Sequence, residues 1–254
     1  MQGVFYMKNP FKFFGIAVLV AAIGLSMAAC DTGSTNAGNG LPPAGDGSIT
    51  FAPGAPPMTF TGVVDQDGNP VNRTMDFTHF LIFREDDEVV ADVSLVIPGS
   101  EIRLDGDTLN LRLGTPWEEL LISASDWWFG GISGISATTG LRVISMDGEG
   151  SFHNADRYSL NWMIPPDPDA YDFTSVVFVY ANIAGTIRGI GIYQDEYNGW
   201  SEVITLNMEL RPGWNTVIGT MGPDPILSGR WNLTAVTGRP GEDFVWVLRR
   251  WGDD

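Results

Sequence analysis

One cysteine, two lysines and two histidines are all that 254 residues supply of three side-chain types behind much covalent, cationic and acid–base chemistry. A lone Cys30 allows no disulfide within the chain and no metal site built from several thiolates. Both lysines, Lys8 and Lys12, fall in the first twelve positions, so arginine carries the positive charge everywhere after them. With 31 acidic residues and a formal net charge of −17, the chain would be repelled by phosphate backbones, which excludes nucleic acid as a natural partner. His79 and His153 stand in no His-Glu-x-x-His or related motif, and there is no Gly-x-Ser-x-Gly elbow or phosphate-binding glycine loop. No cofactor is expected. A helical period is also missing: beyond residue 30 no stretch repeats its apolar residues every 3.6 positions.

What is present favours strands. The chain is 44% hydrophobic, with nine Trp and fourteen Phe, enough to bury a sizeable core without disulfides. Glycine (31) and proline (16) are plentiful, as suits short strands joined by turns.

The first thirty residues read as an address. From Met7, the basic Lys8 and Lys12 precede an uncharged run, 13–30, that ends in Met27-Ala28-Ala29-Cys30. A basic region, an apolar region and a small-residue cleavage site make a signal peptide. At 18 residues the uncharged run is near the lower limit for a membrane-spanning helix, which is the alternative reading. The segment resembles a bacterial lipoprotein signal, with 27–30 as its lipobox, although Met27 departs from the usual Leu. The resemblance implies cleavage after residue 29, lipidation of Cys30 and attachment to a membrane of the cell envelope. Each buried CH₂ of such a lipid contributes about 0.8 kcal/mol, so several acyl chains on one residue hold firmly. Residues 31–57 are dominated by Gly, Ser, Asn, Ala and Pro and read as a flexible tether.

The rest repeats itself. Asp76-Phe77-Thr78, the run Phe80-Leu81-Ile82-Phe83, then Leu109-Asn110-Leu111-Arg112-Leu113 and Trp117 are matched by Asp172-Phe173-Thr174, Val176-Val177-Phe178-Val179, Leu206-Asn207-Met208-Glu209-Leu210 and Trp214. Strand-like runs are expected at 58–64, 77–83, 89–97, 101–104, 108–113 and 117–123, then at 158–164, 174–180, 185–193, 202–210, 214–220 and 244–249. At 158–164, Tyr158, Leu160, Trp162 and Ile164 alternate with Ser159, Asn161 and Met163, the period of a half-buried strand. The expected fold is all-β: two tandem antiparallel β-sandwich repeats, of immunoglobulin-like size, at 58–145 and 146–254, after a signal at 1–29 and a tether at 30–57. The alternative is one larger sandwich or barrel built from two homologous halves. Val64-Asp65-Gln66-Asp67-Gly68-Asn69-Pro70-Val71 resembles the opening turn of bacterial Ig-like and carboxypeptidase-regulatory-like domains.

Features shared by both copies are expected to be structural, so Trp117 and Trp214 are assigned to the core, as is Trp162 on its apolar strand face. Unshared features are the candidate sites. Trp127 and Trp128 are adjacent, so on a strand they would point to opposite faces. Tyr193, Tyr197 and Trp200 accompany Asp195, Glu196 and Asn198 in an expected hairpin loop, a composition suited to sugar rings. Asp65, Asp67 and Asn69 lack the remaining ligands of a calcium loop and read as a turn, as do Asp105-Gly106-Asp107. The functional expectation is a non-catalytic, membrane-anchored envelope lipoprotein with a structural or protein-binding role. The alternatives are a glycan-binding module using the unshared aromatics, and a glycoside-hydrolase-like enzyme with paired carboxylates such as Asp147 and Glu149.

Overall fold

A computed structural model describes residues 45–47, 56–77, 97, 99–126, 132–145, 152–153, 158–164, 173–194, 201–224 and 230–250. The expected signal with Cys30, the run 78–96, Trp127, Trp128, Asp147, Glu149, Tyr197 and Trp200 lie outside the described residues.

The fold is all-β. In chain order the strands are β1 (Met58–Phe60), β2 (Val64–Asp65), β3 (Arg73–Asp76), β4 (Glu101–Gly106), β5 (Thr108–Arg112), β6 (Ile122–Ser123), β7 (Ile135–Ala137), β8 (Arg142–Ser145), β9 (Phe152–His153), β10 (Tyr158–Ile164), β11 (Phe173–Ala181), β12 (Gly185–Gln194), β13 (Ser201–Leu210), β14 (Gly213–Pro223), β15 (Arg230–Thr237) and β16 (Val245–Arg250). They form a four-stranded sheet in the order β1-β5-β4-β3 and a large sheet whose main path runs β2-β16-β10-β11-β14-β15-β13-β12-β7.

The small sheet follows from simple alternation. Ile102 and Leu104 on β4, and Leu109 and Leu111 on β5, are buried, while Arg103, Asp105 and Asn110 between them face the other way. Asp105 pairs with Thr108, so the hairpin turns on Gly106 and Asp107 alone, and Gly106 adopts the left-handed φ of 65° that such a turn favours. The expected turn at 65–69 is also present. The Asp65 carboxylate accepts the backbone N–H groups of Asp67 (3.0 Å) and Asn69 (2.8 Å), which holds its pKa below the usual carboxylate range.

The four-stranded sheet packs on one end of the large sheet. Phe60, Met75, Ile102, Leu104, Leu109 and Leu111 meet Leu160, Trp162, Val176, Phe178, Trp246 and Leu248. Trp162 and Trp246 are cross-strand partners and stack with centroids 5.2 Å apart, and the Phe60 ring stands edge-on to both at 5.2 and 5.6 Å. The run Val176-Val177-Phe178-Val179 has no polar face because β11 has no solvent face. Val176 and Phe178 enter this core, whereas Val177 and Val179 enter a second one. That second core gathers Ile187, Ile204, Leu206, Met208, Val217, Leu233 and Ala235 from β12, β13, β14 and β15. Residues 132–141 lead from β7, paired to β12, back to β8, paired to β11, and place Leu141 and Val143 in the same core.

Several expectations need correction. The strands are not all antiparallel: β13 runs parallel to β15, and β16 parallel to β2. The strand β15 was not anticipated, yet it lies between β14 and β13, which are joined by only two residues. Asn215, buried, makes that short connection workable. Its side chain accepts the N–H of Arg211 and donates to the carbonyls of Arg211, Gly213 and Val179. Ladders also cross the expected boundary at 145/146, since β8 pairs with β11, β7 with β12 and β2 with β16. On β10 the expected solvent face is buried: Ser159, Asn161 and Met163 are at most 3% exposed.

The expected tether is docked at one point. Gly45 N–H donates to the Thr237 carbonyl, the Gly47 carbonyl accepts from the Thr216 N–H and hydroxyl, and Asp46 pairs with Arg211 at 3.2 Å. Gly47 is buried so closely that a Cβ there would lie 2.3 Å from the Thr216 carbonyl oxygen.

The matched tryptophans part company. Trp214 is buried in the core, packs edge-on against Tyr180 at 5.5 Å and donates its indole N–H to the Gly114 carbonyl at 2.7 Å. Trp117 is 43% exposed, because 117–120 form a 3₁₀ turn rather than the expected strand. Its carbonyl accepts from Leu120 N–H, and the chain does not become extended again until β6. Trp214→Ala should therefore cost about 3–5 kcal/mol of unfolding free energy, and Trp117→Ala under about 1 kcal/mol. Urea unfolding of the two variants checks this; equal losses would restore the equivalence of the two positions.

Candidate functional site

Of the five aromatic residues expected to bind ligand, Tyr193 is the one within the described residues. It lies near the end of β12, 37% exposed. Antiparallel pairing sets it directly opposite Glu202 of β13, and the parallel neighbour β15 brings Trp231 level with Glu202 on the other side. Tyr193, Glu202 and Trp231 thus form one row across three strands, at the end of the second core. Trp231 is half-buried and packs against that core.

Glu202 is the unusual member. Along β13, Ile204, Leu206, Met208 and Leu210 follow it on the same face, all buried. The carboxylate occupies the next position of that apolar stripe and is only 4% exposed. Its Oε1 has no hydrogen-bond partner among the described residues. Removal from water disfavours the charged form, and burial pushes the carboxyl up from 4.5 to about 7. At neutral pH the group is therefore poised between a proton donor and a buried anion, between an exposed phenol and an indole.

A buried carboxyl of this kind can hold a proton for exchange or accept a hydrogen bond from a hydroxyl or amine that reaches it. Glycoside hydrolysis needs a second carboxyl facing the first, and the candidate pair Asp147 and Glu149 lies outside the described residues. Among the described residues no group of three His, Cys, Asp or Glu side chains is placed to hold a metal ion.

Sequence reasoning missed Glu202 because a carboxylate beside Ser201 reads as the polar start of a strand. A signal was nonetheless present. From 202 to 210 the even positions are Glu202, Ile204, Leu206, Met208 and Leu210, a period-two stripe in which one acid replaces an apolar residue. No family model, curated protein or solved structure matches this chain.

The sign of the Glu202 effect follows from its raised pKa. Between pH 4.5 and about 7 the folded chain keeps a proton that the unfolded chain has released, so stability falls as pH rises through that window, and the full penalty applies above it. Glu202→Gln cannot ionise. Its stability relative to the wild type should rise by up to about 3 kcal/mol between pH 4.5 and pH 8. Urea unfolding at the two pH values measures the difference; a constant offset would mean that Glu202 titrates normally.

Proposed function

We propose that this chain is a lipid-anchored, non-catalytic protein of the bacterial cell envelope, with a structural or protein-binding role. The observation that carries this reading is the sequence Met27-Ala28-Ala29-Cys30 at the end of an uncharged run preceded by Lys8 and Lys12. The lone cysteine of the chain falls where the lipid would be attached. Fourteen residues lie between Cys30 and Gly45, which among the described residues is the first to dock on the large sheet. Fully extended, that length spans at most roughly 50 Å, so the folded part would be held close to the membrane surface.

A binding role draws support from β12, which presents Ile190 and Ile192 to solvent on one face (45% and 56% exposed) and Tyr193 on the other. The glycan-binding alternative rests on Tyr193, one of the five expected aromatics, with Trp231 two strands away across Glu202, and is the weaker reading.

Intact-mass analysis of the full chain expressed in bacteria, with metabolic labelling by palmitate, tests the proposal. The expected product begins at Cys30, exceeds its peptide mass by the attached acyl groups, and loses the label in the Cys30→Ser variant. An uncleaved N-terminus with unmodified Cys30 would overturn the lipoprotein assignment.

A further inference from the structure

The strands around Glu202 close on themselves. Ladders run from β11 through β14, β15, β13 and β12 to β7, and residues 138–141 return the chain to β8, which pairs with β11. The ring encloses the second core, and the row of Tyr193, Glu202 and Trp231 forms the rim at one end of it. Pro223 of β14 continues the row and is exposed. The next row facing the same way, Gly191, Ile204, Leu233 and Met221, is buried and gives the rim an apolar floor. Tyr193, directly opposite Glu202, is exposed, so solvent begins one side chain away from the buried carboxyl. The mouth of such a ring is a common place for a small-molecule site.

What this rim lacks is a cation. Glu202 Oε1 is buried and has no hydrogen-bond partner among the described residues. The strands β12, β13, β14 and β15 carry two arginines, and both are spent elsewhere. Arg230 stands level with Ser201, on the face opposite Glu202, and pairs with Asp224 at 3.5 Å. Arg188 pairs with Glu209, far down the β12–β13 ladder. There is no lysine after position 12. An ammonium group at this rim therefore has to come from another molecule. Such a group suits the site in three ways. Its N–H donors match the carboxylate oxygens, its charge is attracted to aromatic faces such as those of the flanking residues, and its alkyl part fits an apolar floor. An anion would be repelled, and a neutral hydroxyl does not offset the cost of a buried negative charge.

We infer that this end of the strand ring binds a small molecule through a primary alkylammonium group, held by the Glu202 carboxylate between Tyr193 and Trp231. Binding draws the carboxyl into its charged form, so the proton that burial keeps on Glu202 passes to solvent as the ammonium enters. The site is independent of any lipid on Cys30, so its failure leaves the lipoprotein reading as it stands. Isothermal titration of the full chain with n-butylamine hydrochloride, in two buffers of different ionisation heat, measures affinity and proton release together. The expected result is saturable one-to-one binding that strengthens as pH rises to about 7 and then levels off. It should release roughly one proton per ligand at pH 6 and few at pH 8.5, whereas neutral n-butanol does not bind at the same concentrations. Glu202→Gln keeps the shape without the charge and should weaken binding roughly tenfold or more. Tyr193→Leu should weaken it several-fold, and Arg103→Gln, on the small sheet, binds as the wild type does. If Glu202→Gln unfolds, proton release by the wild type still decides the matter. The inference falls if n-butylamine does not bind, if its binding releases no proton at pH 6, or if folded Glu202→Gln binds it as tightly as the wild type.

Discussion

The structure depends on a contact between aromatic rings from distant parts of the chain. Phe60 of the small sheet stands edge-on to Trp162 and Trp246, which are stacked on neighbouring strands of the large sheet, with Phe178 continuing the stack at 6.3–6.4 Å. Rings of this size bury about 150–250 Å² each, and with no disulfide such burial is what holds one sheet on the other. The rest follows from it. Once β1 is fixed, its partners β5, β4 and β3 are carried with it, and their apolar faces close over β10, β11 and β16. Arg73, on the outer edge, is thereby delivered to Tyr158.

Much of this was legible in the sequence where local pattern decided the outcome. The alternation in β4 and β5, the turn within Asp105-Gly106-Asp107 between them and the uninterrupted Val176–Val179 run of β11 all became what the local pattern dictates. The pattern misled where tertiary pairing overrode it. Ser159 and Asn161 looked like a wet face and are buried. Trp117 looked equivalent to Trp214, but the sequence similarity does not survive in the packing. The long strand β14 continues past Trp214, whereas the chain turns tightly after Trp117. The segment 230–237 does alternate, with Trp231, Leu233 and Ala235 against Asn232 and Thr234. Its insertion as β15, parallel to β13, is a long-range fact that no local period encodes.

The candidate sites were less legible than the fold, for a physical reason. An aromatic in a loop can be noticed from its neighbours, but a site such as Glu202 exists only through burial, and burial is decided by strands far away in sequence. The same holds for the contact of Arg73 with Tyr158, which lie 85 residues apart. Glu202 is a carboxyl held out of water at the end of the second core, where it keeps its proton up to about pH 7.

Ladders and the Phe60–Trp162–Trp246 contact join residues on either side of position 145, so the two sides should unfold as one unit. Equilibrium urea unfolding of the full chain, followed in parallel by tryptophan fluorescence and by far-ultraviolet circular dichroism, tests it most directly. One cooperative transition with the same midpoint by both probes is expected. Two separated transitions, with the segment before 145 melting independently of the segment after it, would contradict it.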